Sequence, residues 1–391
     1  MDNAFINILS DHIQLKKTSV NLSCDWENIR KLSRSHEVTG IIQYQCKDFI
    51  PAEYAPVFKK AYATALFYYS NRVRAMKSIS EILTAAGITF FPVKGLEVAK
   101  FYPCPALRTM GDNDIIVQPG ELKNAVRALK EHGFNDAADS GEHVWSCDYR
   151  GMHFEVHDKL TDGDTQNSQQ ESFFENFMPF VKNNELDWNF HFLFLIMHLR
   201  KHFMLGGVGI RQFMDIALVA KGNKELDWDL IEKQLKMLKL KRFAHSCYSL
   251  IEYWFGIKIP VEYDIIDVSL ADEVTAKILN DGVFGHEDES NKDNWVGNIL
   301  IDSGGSLTKN RIRFFFRRIF PPYDEMTGYP GCRFLVNRRY LLPLAWIRRF
   351  VFMIKAGKSS QREHTFAGTF KSTSQIEKRR SLLDRLGLLD K

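Results

Sequence analysis

The sequence predicts an α+β protein, with a small α/β unit around residue 100, helices leading into it and a helical region behind. Three observations predict it. Apolar residues recur at three- and four-residue spacing through most of the first ~85 residues. Strand-type and helix-type patterns then alternate as β-α-β-α-β-β between Ile88 and Leu160. From Glu185 to about Ile257 the helical spacing returns.

Each element follows from local chemistry. The run from Tyr54 to Gly87 is helical by spacing and stops at Gly87. Ile88 to Val93 is rich in β-formers and breaks at Lys94-Gly95. Leu96 to Tyr102 forms a short helix that Pro103 and Pro105 end. Asn113 to Val117 reads as a strand, stopped by Gln118-Pro119-Gly120. Glu121 to Gly133 is an amphipathic helix with Gly133 as its stop. His143–Cys147 and Met152–Leu160 make two strands around a turn from Asp148 to Gly151. The polar stretch from Thr161 to Glu171 is a loop by composition. Residues 258–308 are mixed. Arg311–Phe320 and Tyr340–Lys355 are expected to be basic helices, Lys358–Gln375 to be flexible, and Ile376–Leu386 to be a terminal helix. The organisation is a helical lead-in over 1–85, an α/β core over 86–165, a helical domain over 180–308, and a basic segment with its tail over 309–391.

Composition narrows the class. At 45% hydrophobic and 26% charged, the 391 residues are those of a globular protein. Six scattered cysteines without a CxxC argue against a disulfide framework or zinc knuckle and suit a reducing, cytoplasmic setting. No secretory leader and no spanning run of about 20 apolar residues is evident. Charge is uneven: residues 309–362 carry thirteen Lys/Arg against two acids, while the stretch before them sums to −9. Such asymmetry belongs with anionic partners. It permits peripheral membrane contact through 309–362. With no stacking-aromatic motif, nucleic acid is not the expected partner.

The chemistry concentrates between Lys94 and Glu155. Asp112 and Asp114 flank Asn113 at the start of an apolar strand, so both carboxylates point one way, about 7 Å apart. That spacing suits one or two hard cations that also take substrate phosphate oxygens. Glu155, mid-strand in the later hairpin, can supply a third carboxylate. Three such groups repel one another unless a cation sits among them. His157 shares the Glu155 face and can assist a ligand or line the site. Gly95 lets backbone approach a phosphate, Lys94 adds a point charge, and Arg108 can hold pyrophosphate bidentately or pair with Asp112. His198 and His202 share a helix face, which is half a zinc pattern or simple packing. Arg211 and Asp215 can pair within one helix, or Arg211 can reach nucleotide or acceptor across the cleft.

Lys94-Gly95, a short helix ending in Tyr-x-x-Pro, and Arg-x-x-Gly-Asp-x-Asp followed by Ile-Ile-Val together resemble the uncharacterised nucleotidyltransferase family of the polymerase-beta-like superfamily. The helical lead-in, Glu-Val-His at 155–157, His-Leu-Arg-Lys-His at 198–202 and Gly-Ile-Arg-Gln-Phe-Met-Asp at 209–215 extend the likeness. The resemblance implies a minimal nucleotidyltransferase fold: a short mixed sheet flanked by helices, with a helical domain behind it. It implies transfer of a nucleoside monophosphate from an NTP, with ATP the expected triphosphate and Mg²⁺ or Mn²⁺ the cofactor. By position, Asp112 and Asp114 are the metal pair, Glu155 the third carboxylate, and Lys94-Gly95 the phosphate turn. The wider superfamily carries Gly-Ser at that turn, where this chain has Gly95-Leu96. The third acid, often Asp, is here Glu. The expected acceptor is a hydroxyl of a small molecule or a protein, its identity not written in the sequence. The rivals are a nucleotide-holding regulatory partner without turnover, and a membrane- or nucleic-acid-binding protein acting through the basic segment.

Overall fold

A period of two along the central strands decides which face of this protein can carry polar chemistry. The computed structural model describes residues 3–18, 24–137, 141–161, 167–205, 207–283, 316, 320–327, 332–335, 338–355 and 373–389. Five strands form one mixed sheet: β1 (Phe90–Pro92), β2 (Asp114–Val117), β3 (Asn135–Asp136), β4 (Val144–Tyr149) and β5 (Met152–His157). They lie in the order β1-β2-β5-β4-β3. β2 and β5 are parallel, and all other neighbours antiparallel. A parallel pair needs a crossover. Here α6 (Leu122–Glu131) and strands β3 and β4 supply it.

One face of the sheet is apolar over its central strands. Phe90, Ile115, Val117, Trp145, Cys147, Phe154 and Val156 pack there against Ala75, Ile79 and Leu83 of α4 (Ala55–Ala85) and Leu122, Ala125 and Leu129 of α6. Burying a large apolar side chain is worth about 1.5–3 kcal/mol, so this set fixes the register. Alternation then leaves Asp114, Ile116, Glu155 and His157 on the opposite face. The 31-residue α4 has Pro56 in its first turn, where a missing N–H does no harm, and stops ahead of Gly87 at φ 70°.

Two connections differ from expectation. The β4–β5 turn is only Arg150-Gly151, at φ 51° and 75°, while Asp148 and Tyr149 continue β4. Two successive left-handed residues give the hairpin turn whose twist matches the strands. Edge strand β3 was not expected, because two residues carry no readable period.

Helices precede and follow the sheet. The lead-in comprises α1 (Ala4–Gln14), α2 (Trp26–Ser35), α3 (Thr39–Cys46) and α4. Behind the sheet come α7 (Ser168–Glu175), α8 (Trp188–Leu205), α9 (Ile210–Gly222), α10 (Trp228–Met237), α11 (Lys241–Phe255) and α12 (Val268–Asp281). The expected loop at 161–171 yields to α7 from Ser168, because the Asn167 side chain accepts from the Gln169 and Gln170 N–H groups and caps it. The helix expected from Glu185 begins at Trp188. Glu185-Leu186 instead form strand β7 against β6 (Val181–Lys182), and Asp187 caps α8.

The chain divides into two compact units, Met1–Phe203 with Gly207–Glu287, and Met204–Gly206 with Asp288–Leu389. In the second, α13 (Tyr323–Thr327), α14 (Leu342–Lys355) and α15 (Thr373–Arg385) are described, with Met326, Cys332, Leu335 and Ala345 as a small core. The expected helix over 340–355 and the terminal helix are therefore present. Arg311–Phe320, apart from Phe316 and Phe320, and residues 358–372 lie outside the described residues. No described helix is long and apolar enough to cross a membrane.

Candidate active site

The parallel register sets Asp114 opposite Glu155 and Ile116 opposite His157. In-phase parallel strands put these partners on one face, so two chain segments about 40 residues apart meet there. The Nε2 of His157 lies 3.5 Å from Oδ1 of Asp114 and 3.2 Å from Oε2 of Glu155. One donor atom each from Asp114, Glu155 and His157 falls within 4.8 Å of the others. Two carboxylate oxygens and an imidazole nitrogen so grouped fit a divalent cation. Asp112, just before β2, is exposed and opens onto the same cleft without joining that close trio.

Charge in the cleft is finely opposed. Asp114 is 8% exposed, and the Lys94 ammonium sits 2.5 Å from its Oδ2. Burial alone would push the Asp114 carboxyl up, but Lys94 and His157 outweigh it and hold Asp114 well below the usual range. Burial would lower His157, yet its hydrogen bonds to Asp114 and Glu155 raise it to about 9. Asp112, solvent-exposed at the cleft edge, is pushed up by partial desolvation and then by the charges of Asp114 and Glu155, against the pull of Lys94.

Lys94 owes its aim to a strained turn. It stands between β1 and the five-residue α5 (Gly95–Ala99) at φ 53° and ψ −120°, a conformation that favours glycine. Gly95 follows at φ 23°. The turn is held from two sides. The Lys94 N–H donates to Nε2 of His191 at 3.0 Å, and Nη1 of Arg108 donates to the Gly95 carbonyl at 3.0 Å. His191 is itself stacked on Trp188 at 4.7 Å. Little more than one helical turn follows, so the amine of Lys94 brings more positive charge here than the α5 dipole does.

Arg108 and Arg211 have other work. Arg108 meets Asp215 with both prongs, Nε to Oδ1 at 2.8 Å and Nη2 to Oδ2 at 2.8 Å, and both residues are buried. The Tyr102 hydroxyl donates to the same Asp215 at 2.7 Å. The fork expected to hold pyrophosphate, or to pair with Asp112, is thus already engaged. Arg211 does not pair with Asp215 within α9. Its Nη1 reaches Oε2 of Glu37 at 2.7 Å and the carbonyl and hydroxyl of Thr109. Spacing put both side chains on one helix face, but stronger partners came from other segments.

Two cavities flank the aspartates. One, of about 240 Å³, is bordered by Asp112, Asp114, Glu155 and His157, with Lys159 and Lys201 also at its wall. The other, of about 190 Å³, lies towards Gly95, Arg108, Arg211 and Gln212. His198 and His202 of α8 border both, with their Nε2 atoms 3.0 Å apart. The Nδ1 of His202 faces the Gly207 carbonyl at 3.1 Å and must donate to it. Neutral His202 therefore accepts at Nε2 from His198, and the pair can hold only one proton between the two rings.

Residues 23–256, more than half of the chain, match the family described as "Uncharacterised nucleotidyltransferase". The chain belongs to this family. No curated protein and no solved structure matches it. The matched span takes in the sheet, the Lys94 turn, the aspartates, Glu155, His157, α8 and α9, and it supports nucleotidyl transfer as the general activity.

Some supports of this site carry no local signal. Arg72 of α4 donates to the Met110 carbonyl at 2.5 Å, steadying the loop before Asp112, and His191 fixes the Lys94 peptide. Neither sits in a motif, because each acts across 38 or more residues of sequence.

Buried neutral histidines should cost this protein stability in acid. His36 accepts the Ile210 N–H at Nδ1, and burial lowers it to about 4 despite nearby Asp281 and alongside Arg211. His191 is lowered to about 3 by burial and then by Lys94, Arg108 and Lys100. The unfolded chain takes up protons from about pH 6.5 downward while these folded rings refuse them, so stability is full above 6.5 and falls towards 4 and then 3. Denaturant unfolding at pH 7, 5.5 and 4.5 should show a loss of a few kcal/mol, smaller in His36→Gln. A flat profile for the native chain excludes the assignment.

Proposed function

We propose that the protein is a divalent-metal-dependent nucleotidyltransferase. It moves a nucleoside monophosphate from an NTP, ATP first among them, to a hydroxyl of a small molecule or protein and releases pyrophosphate. The juxtaposition of Asp114 and Glu155 across β2 and β5, with Asp112 and Lys94 on the same cleft, carries this reading.

A bound Mg²⁺ or Mn²⁺ would neutralise the triphosphate and lower the pKa of the acceptor hydroxyl. Asp112, Asp114 and Glu155 are the side chains that would hold it. With no second ion bound, Glu155 would be the residue to accept the hydroxyl proton. The acceptor oxygen then bonds to the α-phosphorus as the bond from that phosphorus to the bridging oxygen breaks, and pyrophosphate departs in line. Lys94 and the Gly95 backbone would hold the departing phosphates, with Arg211 lining the same cavity. Arg108 positions the turn through the Gly95 carbonyl. We read the organisation as lead-in 1–85, catalytic core 86–165, helical domain 180–308 and basic segment 309–391. Six free cysteines support a reducing, cytoplasmic setting.

The test is pyrophosphate release from each NTP by the full chain. With candidate hydroxyl acceptors present, release should depend on Mg²⁺ or Mn²⁺, stop on chelation, and resume when metal is restored. Stable NTP binding with no release under any acceptor or metal would instead make the protein a nucleotide-holding partner.

A further inference from the structure

The donor set at the bottom of the cleft is not made of oxygen alone. Asp114 divides its two oxygens: Oδ2 faces the Lys94 ammonium at 2.5 Å, and Oδ1 faces His157 Nε2 at 3.5 Å. Glu155 divides its own: Oε1 is 3.8 Å from His153 Nε2, and Oε2 is 3.2 Å from His157 Nε2. One oxygen of each acid is thus turned to the same imidazole nitrogen, while the other faces a different side chain. An ion with bonds of about 2.1 Å needs neighbouring donors about 3.0–3.4 Å apart in octahedral or tetrahedral geometry. The observed spacings to His157 lie close to that range. The imidazole is also anchored, since it shares the short β2–β5 register with both acids and is largely buried.

We propose that His157 is a direct ligand, with Asp114 and Glu155, of one divalent ion, and that its nitrogen makes the site select a first-row transition ion such as Mn²⁺ over Mg²⁺. This deepens the metal-dependent reading above and rests on it. Mg²⁺ favours oxygen donors and gives up water reluctantly, whereas first-row transition ions also accept imidazole, Mn²⁺ the most weakly of them. Lys94 stays on Oδ2 and keeps that oxygen from a second ion, and the proton on His157 Nε2 leaves as the ion enters.

The experiment uses metal-stripped full-length protein without nucleotide, so it is independent of turnover. Mn²⁺ is titrated in and the free ion counted by electron paramagnetic resonance, with Mg²⁺ as competitor. The bound ion is then probed by pulsed resonance for coupling to a ligating ¹⁴N. One Mn²⁺ should bind, with Mg²⁺ displacing it only at an excess on the order of tenfold or more. Nitrogen coupling should persist in His198→Gln and His153→Gln and vanish in His157→Gln. His157→Asp, which restores an oxygen donor, should still bind metal but lose the preference for Mn²⁺, a gain that unfolding cannot mimic. Coupling unchanged in His157→Gln, or equal competition by Mg²⁺ in the native protein, overturns the proposal. If binding and coupling are as expected but no pyrophosphate is ever released, the enzymatic reading fails while the ligand assignment stands.

Discussion

Asp112→Asn should cut nucleotidyl transfer by about a thousandfold or more and leave the metal-free protein at least as stable as before. The two effects have one cause. Asp112 is solvent-exposed but shares the cleft with Asp114 and Glu155, and its carboxyl is pushed up by partial desolvation and by those like charges. Its negative charge is therefore unfavourable in the folded protein and useful only when a cation enters. Asparagine keeps the shape and removes both the repulsion and the ligand. Electrostatic groups aimed at charge in the transition state contribute on the order of 10²–10³ each in rate, and loss of a metal ligand adds to that. Asp114→Asn should behave differently. That carboxylate is held ionised by Lys94 and His157, so its loss leaves half-buried Lys94 without its partner and lowers stability along with activity. Thermal unfolding and pyrophosphate release measured on both variants separate the cases. Equal destabilisation by the two substitutions, or an active Asp112→Asn, would sink this account.

Arg108→Ala should destabilise the protein by about 3–5 kcal/mol, the range for breaking a buried ion pair from one side. Asp215 would be left buried with only the Tyr102 hydroxyl, and the Gly95 carbonyl would lose its donor. Arg108→Lys should recover little, because an ammonium cannot span both Asp215 oxygens and Gly95 at once. Replacing both partners, with Met at 108 and Leu at 215, should recover much of the stability, since no unpaired charge then remains inside. Activity should fall in each variant through displacement of the Lys94 turn. Urea unfolding decides the matter. A loss under about 1 kcal/mol, with a raised KM for NTP, would instead show Arg108 acting on phosphate directly.

Much of this was legible in the residues because it is encoded locally. The aspartate pair, the Lys-Gly break and the β4–β5 hairpin are spelled within a few residues of each other, where chain geometry fixes side-chain direction. Helices α4, α6 and α14 follow from apolar spacing, and the hidden start of α7 differs only in that its cap lies inside a polar run. Arg108 and Arg211 were legible as candidates but not in their roles. An arginine at a given position reads the same whether its partner is a phosphate or an aspartate on a distant helix.

The sequence by itself determined the strand alternation that turns Asp114, Glu155 and His157 away from the apolar core, since a period of two leaves no other face for them. It also determined the family, through motifs short enough to be read along the chain. Only the tertiary structure decided that β5 lies parallel and in register beside β2, that His157 rather than Asp112 completes the close donor trio, and that the arginines serve Asp215 and Glu37. Those outcomes depend on which segments meet after crossovers of tens to more than a hundred residues. Local propensity is blind to such meetings, because packing of the whole core selects them.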